Sequence, residues 1–343
     1  MWIEGKAERS ELTKLAHTLV NSGEEWKESI GKFISEWLND SDFVEVKTSG
    51  STGKPKTIQL SKKLMSKSAE NTNDYFGLND RTTALLCLSA ENIGGKMMIV
   101  RALTQGWTLF CEAPSSSPNS ENKSFDFAAM VPLQVEELLN KTPEKIDKIA
   151  KVIIGGAPIS ERLEKRLQGC RTHFFSTYGM TETASHVAIR PLNGNNRSAF
   201  FKLLSGIKAN QDERGCLTLK ADFFESEIIT NDLVEFEDFD EFKVIGRFDN
   251  IINSGGVKIL PEKVEKKLEE LLDRRYYISS KSDEKLGELV VLHIESDPLD
   301  LATERLLFGE MKDVLDKYEV PKEIEYHDKF AETRTGKVKR KKA

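Results

Sequence analysis

The stretch Lys47 to Leu60, KTSGSTGKPKTIQL, alternates glycines with small hydroxyl residues and adds two lysines. That composition suits phosphate, held by backbone N–H groups, hydroxyls and ammonium. It is not the ATP-binding loop that opens a helix, which needs four residues between its glycines, then Lys and Ser or Thr. Here only Ser51 and Thr52 separate Gly50 from Gly53, and Pro55 follows Lys54. The flanking runs DFVEV and KTIQL alternate apolar and polar residues, so the expected frame is strand, glycine loop, strand.

Further segments combine glycine, hydroxyl and charge: GGAPIS (Gly155–Ser160), STYGMTETAS (Ser176–Ser185), TND (Thr230–Asp232), GRFDNIINSGGVKILPEKVE (Gly246–Glu265) and TRTGKVKR (Thr333–Arg340). Each has an ordinary structural reading. Glu182 could cap a helix at TETAS. Asp232 and Arg247 could form an exposed salt bridge, and Lys337 could be solvated in the basic end GKVKRKKA. The four cysteines, Cys87, Cys111, Cys170 and Cys216, show no CxxC spacing, and the five histidines are scattered. Buried thiols in a reducing compartment are expected, not a metal centre.

The elements that would position these groups follow from periodicity. Ser22 with Glu25 forms a capping-box pattern. After it Trp26, Ile30, Phe33, Ile34, Trp37 and Leu38 fall on one helical face. Ser61 caps a helix to about Phe76. Then TALLCL, a helix from Gly94 to Gln105, TLFCE, a helix from Val131 to Asn140, KVIIGG, a helix from Ser160 to Leu167, and THFFSTYG alternate. This rhythm predicts an α/β domain with a largely parallel sheet. Pro114 to Ser124 reads as a polar loop. From Gly215 come short strands GCLTLKA, SEIIT, DLVEF and FKVIG. Beyond GRFDN the pattern predicts a helix Pro261 to Leu272, strands around Tyr276 and Val290, a helix Ala302 to Tyr318 and a strand Glu323 to Tyr326. The expected domains are 1–248 and a small α+β domain 249–343.

At 343 residues the chain can hold two domains, and a net charge of −6 with 31% charged residues is ordinary for a soluble protein. Neither a nucleic-acid surface nor stable membrane insertion is expected: no apolar run approaches the roughly 20 residues that span a bilayer. Charges in the first twenty residues argue against a signal peptide, so a cytoplasmic protein is expected. A homodimer is left open.

Taken in order, the glycine loop, STYGMTETAS, GRFDNIINSGGVKILPEKVE and TRTGKVKR resemble the adenylate-forming superfamily of acyl-CoA ligases, peptide-synthetase adenylation domains and luciferases. The likeness runs from Thr48 to near the end of the chain. It implies that fold, with a large N-terminal α/β domain whose N-terminus is reduced and a small C-terminal α+β lid. It implies adenylation of a small-molecule carboxylic acid by ATP with Mg2+, then thioester formation with coenzyme A. A carboxylate is a poor electrophile, and AMP makes it a good acyl donor. The site must therefore neutralise charge growing on the α-phosphate.

In that resemblance Thr48, Ser49, Gly50, Ser51, Thr52, Gly53 and Lys56 cradle the outer phosphates. Gly155, Gly156, Ala157 and Pro158 pack on the purine, and Tyr178, with Gly179 and Met180, stacks beside it. Thr181 contacts the α-phosphate and Glu182 positions Mg2+. Asp232 takes the ribose hydroxyls with help from Arg247. Asp249 is the hinge, Lys337 bridges carboxylate and α-phosphate, and Gly255, Gly256 and Lys258 line thiol entry. The sequence departs from the family with SAEN (Ser89–Asn92) in place of a P-x-x-H gate, TND in place of TGD, and Ala331 in place of a proline.

SAENIGGKMMIVRAL (Ser89–Leu103) and YGMTETASHVA (Tyr178–Ala188) most resemble short o-succinylbenzoate–CoA ligases of menaquinone biosynthesis. Such a substrate carries a second carboxylate that needs a cation if buried. Lys96, Arg101 and His186, beside Ser185, are the candidates, with a surface helix position the alternative for Arg101. Adenylation of another aryl or small acid, loading of a carrier protein, and non-catalytic nucleotide binding are the competing readings.

Overall fold

The computed structural model describes residues 1–47, 57–119, 123–332 and 338–340. The chain divides into two compact units, Met1–Lys208 with Lys220–Ile228, and Ala209–Leu219 with Ile229–Ala343.

In the first unit, strands Thr108–Cys111, Thr83–Leu86, Phe125–Met130, Ile149–Ile154 and His173–Gly179 lie side by side in that order, all parallel. Trp2–Glu4 adds an antiparallel edge on one side, and His186–Pro191 with Phe201–Leu203 on the other. Phe125–Met130 was not anticipated. Its sequence FDFAAM is nearly all apolar and almost wholly buried, so it carries none of the alternation that marks a half-exposed strand. Strand Trp2–Glu4 and helix Arg9–Val20 were also unanticipated.

Local signals place the helices. Ser61 Oγ accepts from Leu64 N–H at 3.0 Å to start Lys62–Phe76, and Gly77, with φ of 61°, ends it. Ser160 caps Glu161–Leu167 in the same way. Helix Glu25–Leu38 buries Ile30, Phe33 and Ile34, each such side chain contributing about 1.5–3 kcal/mol over exposure. Its capping box does not form. The helix begins only at Glu25, and Ser22 Oγ accepts instead from Glu24 N–H at 3.3 Å. Helix Ile93–Gln105 is buried without a break from Gly95 to Ala102.

Strands Phe43–Lys47 and Thr57–Ser61 pair antiparallel, ending at Lys47 opposite Thr57. The expected hairpin therefore brackets Thr48–Lys56, a segment outside the described residues.

In the second unit, SEIIT and DLVEF prove to be one strand, Ile228–Asp238, whose ladder with Glu241–Arg247 slips between Leu233 and Val234. A five-stranded sheet follows. Val257–Ile259, Ile252–Ser254, Gly287–Glu295 and Tyr276–Asp283 lie in that order, and Glu323–His327 pairs parallel to Gly287–Glu295. One face packs on helices Pro261–Leu268 and Leu301–Val314 through Ile278, Val290, Leu292, Val264 and Met311. Both helices end about one turn earlier than expected. Among the described residues no helix is long and apolar enough to cross a membrane.

Candidate active site

Strands Ile149–Ile154 and His173–Gly179 are parallel neighbours, so their carboxyl ends share one edge of the sheet. Ligands of open α/β sheets bind in the crevice outside such ends. Gly155 follows the first strand with its N–H on Met130 O at 3.1 Å. A Cβ there would stand 2.6 Å from Thr177 Oγ1, and Gly156 has φ of +87°. Ala157 is half-buried and Pro158 exposed. The turn thus lies backbone-first against the next strand end, which carries Tyr178.

Beyond Tyr178 the chain reverses sharply. A Cβ on Gly179 would fall 2.3 Å from Ser185 O, which only glycine tolerates. Thr181–Thr183 forms one 3-10 turn instead of starting an α-helix. The Thr183 hydroxyl accepts from Met180 N–H at 3.0 Å and lies 2.6 Å from Ser185 O, fastening the turn. Buried Ala184 has φ of +61°, a strain of order 1–3 kcal/mol that the clamp must hold. Thr181 and Glu182 stand on this turn. Glu182 is exposed and has no cation partner among the described residues.

The structure brings Arg101, Ser185 and His186 together and sets Lys96 apart. Arg101 is 1% exposed. Its Nη2 donates to Ser185 Oγ at 2.8 Å and its Nε to Thr72 Oγ1 at 3.2 Å, while Nη1 has only Met98 Sδ at 3.8 Å. No carboxylate faces it among the described residues. His186 Nε2 lies 3.2 Å from Thr72 Oγ1 and its Nδ1 3.3 Å from Ser185 Oγ. Ser185 accepts from Arg101, so its own proton goes to His186 Nδ1. Nε2–H then donates to Thr72, which is the neutral tautomer. Burial, then the Arg101 charge, holds the His186 pKa well below its ordinary value. Burial lowers the Arg101 pKa to about 9, which leaves it charged at neutral pH.

Thr72 had no signal in the sequence, being one threonine in an otherwise ordinary helix. Lys96 is buried, but its ammonium donates to Glu45 O at 2.9 Å, pairs with Glu36 at 3.6 Å and lies over the Phe33 ring. It ties strand to helix. The expected substrate role for Lys96 is corrected on that ground.

In the second unit the antiparallel register sets Asp232 opposite Arg247. Arg247 Nη1 donates to Asp232 Oδ1 at 3.0 Å, while Nε and Nη2 grip both oxygens of Asp249 at 2.9 Å. Gly255 and Gly256, with φ of 58° and 83°, form the two-residue turn between strands Ile252–Ser254 and Val257–Ile259, and Lys258 is exposed beside it. The loop Thr48–Lys56 and Lys337 lie outside the described residues. The chain flanking Lys337 is fixed: Glu332 bridges Val338, and Arg340 Nη2 donates to Glu265 at 2.7 Å.

Residues 21–202 match the sequence pattern of the family described as AMP-binding enzyme. The chain belongs to that family. An acyl-CoA synthetase (AMP-forming)/AMP-acid ligase II-like protein from Dyadobacter fermentans is 35% identical to this AMP-binding enzyme, with 95% of each chain covered and a TM-score of 0.65. The 2-succinylbenzoate–CoA ligase of Staphylococcus aureus is 23% identical over 346 residues, covering 92% of this chain and 70% of the relative. The o-succinylbenzoate CoA synthetase of Bacillus subtilis, solved with its acyl-adenylate intermediate, is 22% identical with a TM-score of 0.75, covering 86% of this chain and 67% of that one. This AMP-binding enzyme has the adenylate-forming fold and is an AMP-forming ligase.

Proposed function

We propose that this AMP-binding enzyme is an acid–CoA ligase that activates o-succinylbenzoate, in the cytoplasm, for menaquinone biosynthesis. The observation that carries the substrate is Arg101, a buried guanidinium with no acidic partner among the described residues. An unpaired buried charge is costly, and a ligand carboxylate relieves it. Ser185, held by Arg101 and His186, offers a second polar contact. A plain fatty-acid chain gives such a group nothing.

In the first step the substrate's other carboxylate attacks the α-phosphorus of ATP. An acyl–O–P bond forms, the bond to pyrophosphate breaks, and pyrophosphate leaves. Lys337 and Thr181 offset the negative charge there, each well-placed donor being worth about 3–4 kcal/mol. Thr48 to Lys56 hold the outer phosphates, Tyr178 and Gly155–Pro158 the purine, and Asp232 with Arg247 the ribose. The exposed Glu182 carboxylate fits a hard cation that keeps its waters. Mg2+ held there supplies charge neutralisation on the triphosphate. In the second step the CoA thiolate attacks the acyl carbon, a C–S bond forms and AMP leaves. The division at 1–248 and 249–343, with Asp249 as pivot, lets Gly255, Gly256 and Lys258 replace Lys337 between steps.

A panel of carboxylic acids with ATP and CoA, read by thioester and AMP release, tests the reading. o-Succinylbenzoate is expected to exceed medium-chain fatty acids by far. Thioester formation on a carrier protein but not on free CoA would overturn the acceptor.

A further inference from the structure

The five-stranded sheet has one face on its helices; the opposite face carries a group the ligase chemistry does not use. His293, 1% exposed, lies on the central strand Gly287–Glu295. Glu325 is its register partner on the parallel strand Glu323–His327, and His327 stands one strand period further on the same side. His293 Nδ1 is 2.9 Å from His327 Nε2 and 3.4 Å from Glu325 Oε2. These three ligand atoms lie within 4.8 Å of one another. Aromatic rings wall the cluster: Tyr277 stacks on His293 with centroids 4.4 Å apart, and Phe330 lies 5.4 Å from His327.

On the far side of the ring, His293 Nε2 is 2.7 Å from Ser279 Oγ. If Nε2–H donates to Ser279, the Nδ1 lone pair points at His327 and Glu325. Two imidazole lone pairs and a carboxylate oxygen then converge, and only a proton or a cation between them removes the repulsion. A hydroxyl or carboxylate accepting from the outer N–H is what orients a metal-ligating histidine. Two imidazoles and one carboxylate form the donor set of zinc sites that keep a fourth position open. Imidazole nitrogens suit Zn2+ and its neighbours, whereas Mg2+ prefers oxygen ligands. Glu325 and His327 are only half-buried, which leaves an entry path.

We propose that His293, Glu325 and His327 bind one divalent transition-metal ion of the zinc class, separate from the Mg2+ that Glu182 serves. The ion would pin the last strand of the sheet to its central strand.

Calorimetry with Zn2+ on tag-free, chelator-stripped protein tests this, with Co2+ absorption reporting the coordination geometry. One equivalent should bind, an excess of Mg2+ should not displace it, and the melting temperature should rise. His327→Ala and Glu325→Gln sit at half-buried positions, fold by circular dichroism, and should lose the isotherm. Ser279→Ala should weaken it about 10- to 100-fold. Wild-type protein that takes up no Zn2+, or a His327→Ala variant that binds like wild type, would overturn the proposal.

Discussion

Arg247 grips Asp249 through two parallel N–H···O bonds of 2.9 Å and reaches Asp232 with its remaining nitrogen at 3.0 Å. One cation therefore joins the candidate ribose acceptor to the candidate pivot. Turning about Asp249 must break or carry this pair, so nucleotide occupancy and domain position are coupled through Arg247.

Asp249→Pro fixes φ at the pivot and also removes the carboxylate. Pyrophosphate exchange and thioester formation from presented acyl-adenylate, assayed apart, should respond unequally, one surviving and the other lost. Asp249→Ala, which removes the carboxylate and leaves φ free, should retain both. Normal overall turnover in the proline variant would exclude Asp249 as the pivot.

Glu182→Gln replaces a carboxylate with an amide, a poorer partner for a hard cation. The Mg2+ concentration for half-maximal adenylation should rise, about tenfold for each 1.4 kcal/mol lost. An unchanged Mg2+ titration would leave Glu182 as a residue of the 3-10 turn and nothing more.

Arg101→Met removes a buried charge without opening a large cavity. The ligand-free variant should be as stable as wild type or more so, because an apolar side chain of similar volume often outperforms a buried ion. KM for o-succinylbenzoate should rise by the equivalent of about 2–5 kcal/mol. An analogue lacking the aromatic carboxylate should scarcely distinguish the two proteins. A destabilised variant with unaltered KM would make Arg101 a packing residue.

His186 is neutral when folded, its pKa depressed by burial and by the Arg101 charge. Once unfolded it protonates near its ordinary value of about 6.5. The unfolded state therefore binds more protons as pH falls below that value, and stability drops by up to about 1.4 kcal/mol per pH unit until the depressed folded pKa is reached. Above about pH 6.5 this contribution is constant. Denaturant titrations of wild type and His186→Gln from pH 7 to pH 5 should diverge in slope, the variant being flatter by about one proton. Parallel slopes would show that His186 is already charged in the fold.

Much of the fold was legible because it is local. Ser61, Ser160 and Gly77 act within one helical turn, so their effects survive any tertiary context. FDFAAM was hidden because a strand covered on both faces loses its alternation, and Ser22 misled because a pattern match does not fix where a helix begins. At the site, glycine spacing foretold the turn at Gly155 and the reversal at Gly179. The fates of Lys96 and Arg101 were not legible. Both lie on the helix Ile93–Gln105, and only tertiary packing gives one a carboxylate, Glu36, and leaves the other with hydroxyls. The histidine pair His293 and His327 looked scattered because a parallel strand register, not sequence distance, brings them together.

The central claim is that this ligase adenylates an acid whose second carboxylate meets Arg101. The direct measurement is ATP–pyrophosphate exchange with o-succinylbenzoate, beside an analogue lacking the aromatic carboxylate and a medium-chain fatty acid, in wild type and Arg101→Met. The account predicts rapid exchange with o-succinylbenzoate alone, lost selectively in the variant. Equal exchange with the fatty acid or the analogue, or a variant that discriminates like wild type, would contradict it.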